Sequence, residues 1–177
     1  QICKLCGQLK ELRNSHIIPE FLYSNLYNQK HQMMGINGVG NRGWKPLQKG
    51  ITEKLFCESC EQLLNDYYEK PFLKQWIMTP QLPDPWNVTD VHWIHIDYSS
   101  FKLFHLSVLF RSGVSSLPTF AAVKLGPHED KLRKFIISYN PGESWQYPIF
   151  AYAVVHHKTN KIIQMITQPQ QSKFGGR

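Results

Sequence analysis

Cys3-Lys4-Leu5-Cys6-Gly7 and Leu55-Phe56-Cys57-Glu58-Ser59-Cys60-Glu61 hold every cysteine of this 177-residue chain. Both are Cys-x-x-Cys pairs. Two thiolates three residues apart on a tight turn can face one ion, and two such turns complete a tetrahedral shell with Zn–S near 2.3 Å. Gly7 suits the first turn, because glycine tolerates the positive φ that ends such a knuckle. The residues leave two alternatives, redox dithiols and disulfides. A redox pair normally opens a helix after a buried strand, a context neither pair has. Disulfides would need an oxidising compartment, for which nothing else in the sequence argues. The expected reading is a zinc ion on Cys3, Cys6, Cys57 and Cys60. Held by sulfur alone, it has no open position and is structural.

Fifty residues separate the pairs, against about 15–20 in a plain zinc ribbon. Working outward, Leu12-Arg-Asn-Ser-His16-Ile-Ile-Pro19 predicts a short strand ended by Pro19. Glu20 to Tyr27 follows as a helical turn or two, with Phe21, Leu22 and Leu26 at helical spacing. Residues 29–50 hold five glycines and little periodicity, and read as a mobile basic loop. Arg42, Lys45 and Lys49 are its candidates for nucleic-acid contact. From Cys57 onward a helix is expected. Leu63, Leu64, Tyr67, Tyr68 and Phe72 fall at spacings of three and four, with Glu61, Asn65 and Glu69 stacked on the polar side. Knuckle, strand, loop, knuckle, helix is the order of a treble-clef zinc site.

The set Cys-x-x-Cys, Ser-His-Ile-Ile-Pro (15–19) and Leu-Phe-Cys-x-x-Cys-Glu (55–61) resembles the zinc-containing HNH endonucleases. The resemblance covers residues 3 to about 70. It implies that His16 is the general base. It also implies an acidic metal ligand before that histidine and often a histidine ligand after the second knuckle. Here those positions hold Ser15 and Glu61, so the pattern is degenerate at its metal ligands, and no Asn precedes Leu55. The implied activity is hydrolysis of phosphodiester bonds in nucleic acid, with DNA the expected substrate. The implied setting is restriction, phage defence or a mobile element.

The chemistry can be stated without the family. Phosphodiester hydrolysis needs a base for water, a cation for the transition-state charge, and basic groups for the strand. Imidazole, with a reference pKa near 6.5, suits the base. Glu61 and Asn65, one helical turn apart, could share a Mg²⁺ or another divalent cation that keeps its waters. Glu69 is a weaker candidate. A solvated helix face would show the same three residues, and a histidine propping the knuckle would occupy the place of His16. The competing function is a non-catalytic treble-clef module that binds nucleic acid or a protein.

Charge is divided along the chain: net +5 over residues 1–50, −4 over 51–90 and +6 over 91–177. Carboxylates flanked by cations suit a metal-dependent nuclease, although no run of consecutive basic residues concentrates them. Residues 79–90 hold three prolines and predict an irregular connection between a unit at 1–78 and an accessory region at 91–177. In that region we expect a strand at 91–96 and a helix at 99–112 capped by Ser99 or Ser100, with Lys102 and Arg111 on its outer side. A second helix should begin near Gly126-Pro127, with Leu132, Phe135 and Ile136 as its buried stripe. A hairpin pairing 149–156 with 161–167 should follow. The fold class expected is α+β. Arg111, Lys131, Arg133 and Lys134 are further candidates for phosphate contact, on what reads as a solvated helix face. His92, His95, His105, His128, His156 and His157 lack carboxylates at ligand spacing, so no second histidine metal site is expected. No phosphate-binding loop is present. No apolar run reaches the roughly 20 residues of a membrane span, and no signal peptide is seen at Gln1. The chain reads as trimmed, from a cytoplasmic protein.

Overall fold

The computed structural model describes residues 1–36, 44–78, 97–150, 156, 158–159 and 165–167. In chain order, strand β1 is Leu12–His16, followed by a 3₁₀ turn at Glu20–Leu26. Strands β2 (Met33–Ile36) and β3 (Trp44–Leu47) pair antiparallel with each other. Strand β4 (Thr52–Cys57) returns to pair antiparallel with β1. Glycine-rich composition predicted loop throughout 29–50, but four-residue strands are too short to show an alternating pattern. Pairing, not local propensity, makes them strands.

The β1–β4 register shifts between Arg13 and Asn14: Arg13 faces Phe56 while Asn14 faces Lys54, so Leu55 is the extra residue of a bulge. The bulge has two effects. The Leu55 carbonyl accepts from Lys4 N–H at 3.0 Å, tying the first knuckle to β4. Leu12 and Ser15 both turn inward although three residues apart. His16 ends the strand half-exposed.

Helix α1 (Glu58–Leu64) continues without a break through a π turn at Asn65–Glu69, α2 (Lys70–Phe72) and a second π turn at Leu73–Ile77. A regular α-helix rotates a four-residue repeat by about 40° per step. π turns, with more residues per turn, cancel that drift. Cys60, Leu64, Tyr68 and Phe72 therefore all point into the core at a spacing of four, with Trp76 half-buried after them. Tyr67, expected on this stripe, is exposed instead.

Helix α3 (Tyr98–Val114) is capped by Asp97, not by Ser99 or Ser100. Its carboxylate accepts from the Ser99 and Ser100 N–H groups at 3.0 and 3.3 Å. The expectation that Lys102 and Arg111 lie on an outer face is overturned: both are fully buried. α3 is surrounded by α4 (His128–Ile137) and the α1–α2 region, so it is buried nearly all round and its polar residues need internal partners. Lys102 Nζ donates to the Glu143 carbonyl at 2.7 Å, and burial lowers its pKa. Leu132 and Ile136 of α4 are completely buried, as their stripe predicts, with Phe135 partly so.

The molecule is α+β, with its four cysteines clustered in the N-terminal part. One apolar core runs from Cys3 and Leu5 through Phe56 and Tyr68 to Phe104, Phe110 and Ile136. Phe72 stacks on Phe104 with centroids 3.8 Å apart. The strand expected at 91–96 and the connection at 79–90 lie outside the described residues, as does most of the hairpin expected after 149.

Candidate functional site

The four sulfurs lie within 4.8 Å of one another, buried apart from a partly exposed Cys6. Cys6 and Cys57 Sγ are 3.9 Å apart, far from the 2.05 Å of a disulfide. The separation is close to the tetrahedral edge of about 3.8 Å that follows from metal–sulfur bonds of about 2.3 Å. All four cysteines are free. Gly7 closes the first knuckle at φ +72°, its N–H donating to the Cys3 carbonyl at 2.9 Å. The second is formed where β4 runs into α1, and Cys57 N–H donates to Cys3 Sγ at 3.4 Å.

Four thiolates this close would repel one another unless a cation lay between them. Burial and neighbouring sulfurs raise the Cys60 pKa, and burial raises that of Cys6. Cys57 is also buried, but hydrogen bonds from Ser59, Cys60 and Cys3 bring it down to about 6. A divalent cation would reverse this balance, since a bound thiol gives up its proton. A dry, all-sulfur tetrahedron fits one thiophilic ion such as zinc.

Beside the cluster, at the end of β1, lies a cleft of about 240 Å³ lined by His16, Glu58, Glu61, Gln62, Asn65, Glu69 and Arg111. Four residues singled out in the sequence, His16, Glu61, Asn65 and Glu69, thus share one surface. Ser15 is buried, and its hydroxyl donates to Glu61 Oε1 while accepting from Phe56 N–H at 3.3 Å. Burial pushes the Glu61 carboxyl above its usual range, as does nearby Glu69, against the opposing pull of Ser15, Arg111 and His16. Among the described residues the cysteines are the sole group of three or more His, Cys, Asp or Glu with ligand atoms this close together. A second cleft of about 430 Å³ beside Cys57 shares Glu58 and Gln62 with the first and adds Lys10, Glu11, Arg13 and Ser59.

The sequence places Arg111 on a solvated helix face. Instead it reaches the cleft from inside: its Nη1 donates to the His16 carbonyl at 3.1 Å and its Nη2 pairs with Glu69 Oε1 at 2.5 Å. Nε is buried without a hydrogen-bond partner. Arg133, another phosphate candidate, is occupied by Glu129, Asp130 and the Lys4 carbonyl, the last at 3.1 Å from Nε. Lys131 lies over the Phe135 and Tyr147 rings, and Lys134 is exposed. Lys49 is exposed, Lys45 belongs to β3, and Arg42 lies outside the described residues.

Of the histidines, His105 packs against Phe72, Phe101 and Phe104, its Nδ1 2.8 Å from the Phe101 carbonyl, and burial lowers its pKa. His128 Nδ1 meets Tyr147 Oη at 2.7 Å, and His156 Nδ1 lies 3.2 Å from Thr159 Oγ1. His92, His95 and His157 lie outside the described residues. No helix among the described residues is long and apolar enough to cross a membrane. Glu20, absent from the sequence candidates, stands 3.0 Å from His16 Nε2. Comparison with protein-family models, with curated proteins and with solved structures finds no match.

Proposed function

We propose that this chain is an HNH-like, metal-dependent endonuclease that hydrolyses phosphodiester bonds of nucleic acid, with DNA as the expected substrate, around a structural zinc. The observation that carries this reading is the convergence of His16, Glu61 and Asn65 on one cleft next to the four-cysteine cluster. His16 acts as general base toward water. Glu61 and Asn65 would hold Mg²⁺ or another divalent cation, which would supply charge stabilisation at the phosphate. Arg111, ion-paired with Glu69, holds the His16 carbonyl at the edge of the same cleft. Cys3, Cys6, Cys57 and Cys60 hold the zinc, and Arg42, Lys45 and Lys49 are the basic residues assigned to the nucleic-acid strand.

A second reading is favoured by one contact. Ser15 donates to Glu61 in place of an aspartate ligand, as a module that binds without cutting would allow. Plasmid nicking in Mg²⁺, Mn²⁺ or Ni²⁺ separates the two. Cutting that disappears in His16→Ala supports the nuclease. Nucleic-acid or protein binding without cutting in every metal supports the module.

A further inference from the structure

His16 ends β1, and Glu20 opens the turn after Pro19, so chain reversal returns a carboxylate to the imidazole four residues before it. Glu20 Oε2 lies 3.0 Å from His16 Nε2. That nitrogen is shielded from solvent, and the carboxylate lies within ion-pair distance of it without a formed hydrogen bond. Hydrogen bonds of this kind often tighten only when substrate is bound.

The carboxylate is itself held firmly. Tyr27 Oη donates to Oε1 at 2.5 Å, and Gly50 N–H donates to Oε2 at 3.1 Å. Burial and the adjacent Glu20 push the Tyr27 pKa up to about 12, so Tyr27 stays a donor. The approach of Gly50 requires glycine: a Cβ there would come within 2.5 Å of the Tyr23 ring and 3.0 Å of Glu20 Oε2. Behind Tyr27, His31 stacks on its ring at 4.0 Å. Oε2 thus meets both the Gly50 N–H and the imidazole, while Tyr27 holds Oε1.

We propose that Glu20 is the positioning residue for His16: held by Tyr27 and Gly50, it orients the imidazole and keeps a proton on Nε2. This rests on the reading of His16 as a base. With Nε2 protonated, Nδ1 is the basic nitrogen. In the hydrolytic step Nδ1 takes the proton from water, the O–H electron pair forms the new O–P bond, and the leaving oxygen departs with its own pair. The imidazolium formed is stabilised by the Glu20 carboxylate. Other charged or titratable groups around the pair are Glu61 and Glu69 across the cleft, Arg111 from α3, and Tyr23 beside Gly50.

The test uses the zinc-loaded full chain and ¹⁵N and ¹H NMR of the histidine rings, at about pH 8.5, above the reference imidazole pKa of about 6.5. The expected result is one His16 tautomer, protonated at Nε2, with a slowly exchanging downfield proton. In Glu20→Gln, which keeps the shape and removes the charge, that proton moves upfield or vanishes. Tyr27→Phe, which loosens the carboxylate without removing it, shows a smaller change in the same sense. A His16 proton on Nδ1, or ring signals unmoved in both variants, overturns the proposal. Where wild type cleaves nucleic acid, Glu20→Gln lowers kcat about tenfold or more with KM unchanged. An unchanged kcat overturns the positioning role and leaves the nuclease standing. A Glu20-dependent tautomer in a protein that never cleaves overturns the nuclease and supports the positioning role.

Discussion

At the scale of single residues, Arg111 sets the tension of the site. A buried guanidinium is tolerated only where charge and hydrogen bonds compensate its lost hydration. Glu69 supplies the charge and the His16 carbonyl a second acceptor. Removing one partner is worse than removing both. Arg111→Met is expected to lower stability by about 3–5 kcal/mol, because Glu69 is left uncompensated, whereas Arg111→Met with Glu69→Leu recovers much of the loss. Urea denaturation of the four proteins in that cycle measures the coupling. A coupling near zero would mean that the pair does not hold the end of β1. Gly7 is constrained differently. A Cβ there meets nothing within 4 Å, so only its φ of +72° excludes a side chain. Gly7→Ala is expected to cost about 1–2 kcal/mol by the same denaturation, through backbone strain alone.

At the scale of elements, α3 depends on a cap that belongs to no serine. Asp97 accepts from two N–H groups of the first turn and from the Ser100 hydroxyl at 2.5 Å. Asp97→Ala is expected to cost about 1 kcal/mol. The Ser100 hydroxyl holds the Asp97 carboxyl below its usual range; burial opposes it, and the backbone N–H groups of Ser100 and Ser99 add to the lowering. A carboxyl with a depressed folded pKa stabilises fully above its unfolded value, about 3.9, and loses that contribution as pH falls through the folded value. The stability gap between wild type and Asp97→Asn should therefore be constant near neutrality and close below about pH 4. Thermal melts across that range would show it.

The same elements show what the sequence could reveal. Both knuckles were legible because ligand spacing is a local property. The 58–77 helix was legible because its apolar repeat is long. Its π turns were not: a repeat of four resembles an ordinary α-helical stripe until burial shows which members stay in line. Burial separated Tyr68 from Tyr67 on that basis. Arg111 stood out as a phosphate candidate, but its buried pairing could not be read locally, because its partners lie 42 and 95 residues away. Glu20 was hidden by Pro19, which ends the strand pattern before the turn begins. A carboxylate four residues after a strand histidine matches neither the period of a strand nor that of a continuous helix.

At the scale of the molecule, the cysteine cluster is not an appendage. Cys3, Cys57 and Cys60 belong to the same core as Phe104, Leu132 and Ile136. Phe56 of β4 stacks on Phe110 of α3 at 6.3 Å, and Arg133 of α4 donates to the Lys4 carbonyl inside the first knuckle. Tyr68 Oη reaches the Ile136 carbonyl from the other side. Loss of the ion would leave thiols crowded in a dry site while both C-terminal helices rest on the turns that carry them. Structural zinc contributes about 10–16 kcal/mol of apparent binding free energy, as large as the whole stability of an ordinary domain, about 5–15 kcal/mol. Metal removal should therefore abolish one cooperative transition instead of melting residues 1–78 alone. Chelation, or Cys57→Ser, is expected to collapse the far-UV circular dichroism of α3 and α4 together with the near-UV signal of the aromatic core, and native mass spectrometry should find one zinc per untreated chain. If α3 and α4 kept a cooperative melt after chelation, the cysteine cluster would be a local clasp on a self-sufficient helical core, and the shared packing through Phe56, Phe110 and Arg133 would contribute little to cooperativity.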